Sequence, residues 1–540
     1  MQAQPGQQAA AAAVVRSAGG QVGRSLPIVD GFAARVPASA VHDLAGGATI
    51  RRLTPDKSVR FSMMVGAADS TGATSSAGSS GGEDQVASNY PKTTGATRVW
   101  AQGERGAGVT VAIIDTGVSS VPDLDGRIIA GPDFSGEHDS LQDSYGHGTV
   151  MAGVIAGDGT SSANNPGGAY VGIAPEATVL SVKVAGRNGA TDVSTVLAAM
   201  QWIASHRAQH NIRVLNLSWG TTSQQSPEVD PINYAVQRLW RSGIVVVAAA
   251  GNAGPHPGTV TKPGDDPVII TAGAYNDRQN SVLADDTVTA WSSRGPTAAG
   301  AAKPDIVAPG RTLVATRSPG SDIEQNNPQA LVGSSYIRGS GTSQATAAVS
   351  GSVALLIGRR PDLQPDQVKY AVTSTAVPIV GSSADGHGRI WLPKMVQRDV
   401  AAAPVQQSTA SGLGSIEDSR GGRHVETVCA GDSAPTRIQG EIDALCQPWN
   451  GDTWTGDTWT GETWSQNTWS GDTWSGDTWT GDTWSGDTWT GDTWTGTEFL
   501  TAFWGNQTPW WQRLPGEPRA ARTAQSPPEP RAHASPGTDK

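Results

Sequence analysis

The chain has 540 residues, of which 37% are hydrophobic and 16% charged, and its formal net charge is −11. A chain of this length can bury a large core and is too long for one typical domain. The acidic balance argues against binding to nucleic acid, and no stretch reaches the roughly 20 apolar residues of a membrane span.

The first 66 residues predict a small α+β domain. The segment AAAAAVVRSAGG favours a helix, SLPIVDGFAARVP strands, ASAVHDLAGG a second helix and ATIRRLTPDKSV a final strand. Residues 67–90 are rich in Gly and Ser and poor in apolar side chains. We therefore expect them to form an exposed, cleavable linker.

Residues 91–395 contain three segments that carry candidate catalytic side chains. The β-branched run VTVAIID is typical of a buried parallel strand. It ends at Asp115, and sites in open α/β sheets lie at this end of the strands. From His147, HGTVMAGVIAG predicts a helix whose first turn carries the imidazole. Ser343 precedes the apolar segment ATAAVSGSVALLI and so lies at a helix amino terminus, where unpaired N–H groups favour negative charge.

Asp115, His147 and Ser343 have the residue types of a serine nucleophile system. A serine hydroxyl is a poor nucleophile at neutral pH, so His147 would take its proton, while Asp115 would fix the tautomer of the imidazole. Each motif alone also has a plainer interpretation, as a turn, a helix start or a chance GTS sequence. The order Asp, His, Ser differs from the orders in other folds that carry this triad.

The motifs VAIIDTGV, GHGT and GTSQAT, with SSRGP and KPDIVAPG, resemble those of the subtilisin-like serine proteases over roughly residues 100–392. The resemblance implies an α/β fold with a doubly wound, mostly parallel sheet flanked by helices. It also implies a serine endopeptidase that cleaves peptide bonds in proteins through an acyl-enzyme. The alternative is a surface- or wall-binding protein in which the protease domain is a passive scaffold.

The resemblance assigns further site residues. Asn252, in VVVAAAGNAG, would donate to the oxyanion together with the backbone N–H of Ser343. Thr261 would lie at the base of the specificity pocket, where its branched side chain predicts a preference for small or medium apolar substrate side chains. The other implied substrate-binding residues are those of the edge strand in NLSWG and of the pocket wall: Ser218, Trp219, Gly220, Ala250 and Gly251.

Calcium is the structural cofactor that the resemblance implies. Asp123 matches a common ligand position, and Asp158, Asn164 and Asn165 add hard oxygen donors in a neighbouring loop. The alternative is that these four are ordinary turn residues.

The phrase VDGFAARVP followed by a short helix resembles the inhibitor prodomain of the same proteases. Residues 1–66 would then be a truncated prodomain that inhibits the enzyme until the enzyme removes it; an unrelated α+β extension is the alternative. We expect a strand missing before the first helix. No signal peptide is visible in MQAQPGQQAAAAAVV. Since the resemblance implies an extracellular or cell-surface enzyme, we also expect the start to lack its signal peptide.

The composition changes beyond residue 395. Residues 396–446 form a polar linker with Cys429 and Cys446, which would pair in an exported protein and would otherwise be two thiols. In 447–496 a GDTWT-type repeat places Trp at every fifth position from Trp449 to Trp494. Such repeats suit a contact with cell wall or polysaccharide, a disordered spacer or an acidic cation-binding array. Residues 497–540 are Pro-rich, and we expect them to be disordered.

Overall fold

The computed structural model describes residues 1–61, 64 and 86–420, with two short strands at 426–427 and 436–437. Most of the predicted linker, both cysteines, the Trp repeats and the Pro-rich tail lie outside the described residues. Within the described residues, no helix has both the length and the apolar character needed to cross a membrane.

The strands and helices of the described residues are numbered in chain order. The strands are β1 Gln2–Ala3, β2 Gln21–Leu26, β3 Gly31–Arg35, β4 Ile50–Arg52, β5 Ser58–Arg60, β6 Thr110–Asp115, β7 Ile128–Asp133, β8 Thr178–Lys183, β9 Ala190–Asp192, β10 Ile212–Leu217, β11 Val245–Ala249, β12 Ile270–Asn276, β13 Thr287–Val288, β14 Ile306–Pro309, β15 Leu313–Thr316, β16 Leu331–Val332, β17 Tyr336–Gly339, β18 Glu426–Thr427 and β19 Thr436–Arg437. The helices are α1 Gln8–Ser17, α2 Val41–Gly46, α3 Tyr90–Thr93, α4 Ala96–Trp100, α5 His147–Ala156, α6 Val193–His206, α7 Pro231–Arg241, α8 Asp322–Asn326, α9 Thr342–Arg359, α10 Pro365–Ser374 and α11 Leu392–Met395.

The amino-terminal domain is a four-stranded antiparallel sheet, order β2-β3-β1-β4, with α1 and α2. Ala11, Val15, Phe32 and Leu44 are buried in its own apolar core. The small α+β domain predicted from the sequence is confirmed. The expectation that no strand precedes the first helix was wrong, because β1 pairs with both β3 and β4.

The larger domain is built on a central sheet of order β13-β12-β11-β10-β6-β8-β7, with β14 also paired to β12. All of its pairings are parallel except that of β12 with β13. Strands β6, β10 and β11 are buried almost throughout, as expected for a parallel sheet that is covered by helices on both faces. Helix α9 is buried nearly all round and packs on β10, β12 and α5. The predicted doubly wound α/β fold is confirmed.

Two predicted linkers are partly packed segments. At the end of 67–90, Val86 pairs with Ala169 and buried Tyr90 begins α3. At the start of 396–446, Val396 and Val400 are buried in the main core. Polar neighbours dominate the local composition of both stretches, so composition alone did not indicate these packed ends.

The amino-terminal domain packs on α6 and α7 of the larger domain. Its turn at 27–29 contacts both helices, and Ile28 and Val29 are buried in the larger domain's core. Arg24 donates to Thr195 Oγ1 at 3.1 Å, and Arg238 donates to the Ile28 carbonyl at 3.2 Å. These contacts fix the point from which β5 leaves the amino-terminal domain.

Candidate active site

Asp115 and His147 form a buried pair. Asp115 is the last residue of β6, and His147 is the first residue of α5. His147 Nδ1 lies 2.8 Å from Asp115 Oδ1, which also accepts from the Thr116 backbone N–H. No described residue bonds the other ring nitrogen, Nε2. The carboxylate therefore orients the ring and leaves Nε2 for a reacting group.

Asp143 is a site residue that the sequence analysis missed. Its carboxylate is buried and accepts from Thr116 Oγ1, from the Gly146 N–H, and from both the N–H and the hydroxyl of Thr149, all within 2.8 Å. Burial raises its pKa, and these hydrogen bonds oppose that rise. Asp143 thus caps α5, whose N-cap Gly146 has no side chain to do so. The sequence signal that could have identified this cap is Asp143 itself, which begins DSYGHGT just before the helix start.

Ser343 lies in the first turn of α9. Ser218 is the residue after β10, and β10 pairs with β6 up to Asn216 opposite Ile113, so continuing this register brings Ser218 level with Asp115. Ser343 Oγ donates to the Ser218 carbonyl at 2.8 Å, while Ser218 Oγ donates to the Ser343 carbonyl at 2.9 Å. The hydroxyl in this structure is therefore bonded to Ser218 and not to His147.

A buried polar chain behind Ser343 was also missed from the sequence. Ser350 Oγ donates to Asn216 Oδ1 at 2.9 Å, and Asn216 Nδ2 donates to Ser218 Oγ at 2.8 Å. This chain ties the middle of α9 to the end of β10. These bonds hold the amino terminus of α9, and Ser343 with it, at the carboxyl edge of the sheet.

Asn252 is oriented by the residue before Ser343. Its Oδ1 accepts from the Thr342 N–H at 2.9 Å and from the Thr342 hydroxyl at 3.0 Å. Thr342 Oγ1 in turn accepts from the Gly251 N–H at 3.2 Å. With its carbonyl end bound in this way, the side chain of Asn252 presents its NH₂ group as the donor.

Three of the predicted pocket residues, Gly220, Ala250 and Gly251, lie against Thr261. Its backbone N–H donates to the Ala250 carbonyl at 2.9 Å, which joins two segments of the pocket. A Cβ on Gly220 would overlap Thr261 Oγ1, and one on Gly251 would come within 3.0 Å of the same atom. The Thr261 side chain therefore fills the space between the two glycines. Trp219 turns inward, and its Nε1 donates to the Ile114 carbonyl at 3.1 Å.

The chain's own segment after the amino-terminal domain lies in the groove beside this pocket. Strand β5 pairs antiparallel with β9, and Arg60 also pairs with Gly220. The Phe61 N–H donates to the Gly189 carbonyl at 2.9 Å, and the Phe61 ring lies edge-on to His147 with 5.8 Å between ring centroids. Segment 58–61 thus binds as an added strand between two strand edges.

Beyond Phe61, the next described residue is Met64, which pairs with Ser340. The Met64 N–H donates to the Ser340 carbonyl at 2.9 Å, and the Ser340 N–H donates to the Met64 carbonyl at 2.8 Å. Ser340 precedes Ser343 by three residues in the chain. The segment therefore meets the site on the His147 side at Phe61 and on the Ser343 side at Met64.

The residues around Asp123 do not fit a calcium ion. Its Oδ1 accepts from the Ser161 N–H at 2.7 Å, and its Oδ2 accepts from the Tyr336 hydroxyl at 2.5 Å. Its backbone carbonyl accepts from Arg127, which also pairs with Asp158 at 3.1 Å. Protein donors and a guanidinium thus occupy the oxygens that a cation would need. In the described part of the chain, no group of three or more His, Cys, Asp or Glu could hold a metal.

Two of the other proposed calcium ligands behave as turn residues. Asp158 Oδ1 accepts from the Thr160 N–H at 2.9 Å, and Asn165 Oδ1 accepts from the Gly167 N–H at 3.3 Å. Each side chain bonds to the backbone two residues ahead, as Asx turns do.

Comparison with known proteins also indicates a protease. Residues 106–417 match the subtilase family. The chain is 40% identical over 269 residues to serine protease AprX of Bacillus subtilis, covering 49% of this chain and 60% of that protein. It is 32% identical over 289 residues to subtilisin Savinase of Lederbergia lenta, covering 54% of this chain and 91% of that protein. A thermostable alkaline protease of Halalkalibacterium halodurans is 32% identical over 292 residues, covering 54% of this chain and 68% of that relative.

Proposed function

The chain belongs to the subtilase family of serine endopeptidases, and we propose that it hydrolyses peptide bonds in proteins through an acyl-enzyme on Ser343. The observation that carries the proposal is the buried Asp115–His147 pair, with Nε2 left open beside a serine at a helix terminus. An imidazole held in this way can act as a general base for an adjacent hydroxyl.

Catalysis begins when the Ser343 hydroxyl leaves the Ser218 carbonyl and turns to His147 Nε2. Oγ attacks the substrate carbonyl carbon while its proton passes to Nε2, and a tetrahedral oxyanion forms. The intermediate collapses, the C–N bond breaks, and Nε2 gives the proton to the leaving amine. Water then attacks the Ser343 ester by the same route, which releases the acid and restores the serine.

Asn252 Nδ2 and the backbone N–H of Ser343 would donate to the oxyanion. Thr342 holds Asn252 by its Oδ1, so the donor end is fixed before substrate arrives. A donor already in place needs no reorganisation as charge develops, which is how such groups lower the barrier.

The enzyme is made as a self-processing zymogen, with residues 1–61 as its inhibitor. The support is β5, which fills the strand-addition groove, and Phe61, which lies against His147. Phe61 lies against the His147 ring, and Met64 pairs with Ser340, which precedes Ser343 by three residues. We place the cut between Phe61 and Met64 rather than within residues 67–90.

A fluorophosphonate probe tests both proposals on the full chain. Ser343 should be labelled in the wild type and not in Ser343→Ala, and the labelled product should have lost residues 1–61. Mass spectrometry of that product locates the cut. A folded protein free of residues 1–61 that takes up no probe would contradict the proposed activity. A cut only within 67–90 would contradict the proposed processing site and leave the activity intact.

Export from the cell stays a prediction that fractionation of producing cells would test.

A further inference from the structure

The segment that follows the catalytic domain reaches back to the amino-terminal domain. We call residues 403–419 the strap. It begins where Ala403 packs on the main core, and it ends where Ile416 packs on the core of the amino-terminal domain. One stretch of chain therefore touches both domains.

The strap is fixed to the catalytic domain along and beside α7. The Ala410 N–H donates to Gln237 Oε1 at 3.1 Å, the Ser411 N–H to the Glu228 carbonyl at 2.7 Å, and the Gly414 N–H to the Val229 carbonyl at 2.6 Å. A Cβ on Gly414 would overlap Gln225 Oε1, so the backbone itself lies against the domain. These bonds give Ile416 a defined position.

From that position the strap makes both an apolar and a polar contact with the amino-terminal domain. Ile416 is partly buried against the cluster that contains Phe32 and Leu44. Thr54 Oγ1 donates to the Gly414 carbonyl at 3.0 Å. We propose that the strap is a docking surface for the amino-terminal domain, separate from the groove and from α6 and α7, and that it slows release of that domain after the cut.

The inference rests on the proposed function in one respect, that residues 1–61 act as the inhibitor. Once the bond beside Phe61 is cut, the fragment is held only by non-covalent contacts. The strap would add a contact distant from Ser343. Loss of the strap contact would speed activation without changing the chemistry at Ser343.

Hydrogen exchange on the full chain carrying Ser343→Ala measures the contact without any catalysis. Ile416→Ala should speed exchange of the α1 amides by about 5- to 30-fold, with no change in β6. Thr54→Val, on the opposite side of the contact, should speed it by about fivefold. Val405→Ala is the matched control, because Val405 lies on the strap, is 72% exposed and is not among the residues packed on the amino-terminal core.

Unchanged α1 exchange in Ile416→Ala, or equal acceleration in α1 and β6, would overturn the proposed contact. In the active chain, Ile416→Ala should shorten the lag before fluorophosphonate labelling. An unchanged lag would overturn the role in release. Because the exchange experiment needs no activity, a failure of the proposed protease function would leave its result readable.

Discussion

Asp115 and Asp123 are both 1% exposed, but their carboxylates have different surroundings. Both oxygens of Asp123 accept hydrogen bonds from protein donors, Ser161 and Tyr336. At Asp115, Oδ1 holds His147 while Oδ2 has no described hydrogen-bond partner, and neither does His147 Nε2. Buried polar groups are nearly always paired, so open atoms at a groove indicate chemistry, and a fully paired carboxylate indicates structure.

The strongest test of this comparison makes the same small change at both acids. Asp115→Asn should lower kcat by about 10⁴-fold, because the amide favours the wrong imidazole tautomer. Its melting temperature should change little. Asp123→Asn should lower the melting temperature and leave kcat nearly unchanged, because the amide keeps only one of the two oxygens that accept from the Ser161 N–H and the Tyr336 hydroxyl.

Steady-state kinetics on a peptide substrate and thermal melts of both variants provide the measurements. The Asp123→Asn protein serves as the control for burial, since the same atom is replaced at the same depth. A kcat loss of similar size in both variants would contradict the distinction between the two acids.

The next largest effect concerns Asn252, the proposed oxyanion donor. Asn252→Ala should lower kcat by about 100- to 1000-fold, the cost of losing one such donor in a subtilisin, with KM nearly unchanged. Thr342→Val, which keeps its N–H bond to Asn252 Oδ1 but loses the hydroxyl bond, should give a smaller loss in the same parameter. A loss confined to KM would place Asn252 in ground-state binding instead.

The sequence predicted the parts of the site that depend on local pattern. Strand β6 and helices α5 and α9 are buried segments rich in apolar and small residues, and each carries a proposed catalytic residue at or next to one end. The supporting contacts could not be predicted in this way. Tyr336 bonds Asp123 across 213 residues of sequence, and Ser350 bonds Asn216 across 134. An aspartate near a turn has the same sequence signature whether it binds calcium or a tyrosine hydroxyl.

Tyr336→Phe tests whether the paired Asp123 carboxylate stabilises the fold. Burial and the adjacent Asp123 raise the pKa of Tyr336, so its hydroxyl stays protonated and donates. Its removal leaves a buried carboxylate oxygen unpaired, which should cost about 1–3 kcal/mol of folding free energy. Denaturant unfolding would measure this cost, and kcat should not change.

A chelator completes the test of the Asp123 loop. Because protein donors occupy the Asp123 oxygens, any effect of chelator on the melting temperature should be the same in the wild type and in Asp123→Asn. A fall in the melting temperature of the wild type on chelation, absent in Asp123→Asn, would contradict the assignment of this loop to hydrogen bonding.

The last prediction concerns Thr261, whose side chain fills space and makes only one weak hydrogen bond, to the Ala250 carbonyl at 3.4 Å. Thr261 lies between Gly220 and Gly251, so Thr261→Gly should deepen the pocket. We expect kcat/KM for substrates with Phe before the cleaved bond to rise about tenfold relative to those with Ala.

Thr261→Ser keeps the hydroxyl and removes only the methyl group, so it separates the size of the side chain from its weak 3.4 Å bond to the Ala250 carbonyl. If Thr261→Ser gives part of the gain, the methyl group limits the pocket. An unchanged ratio in both variants would mean that other residues set the preference.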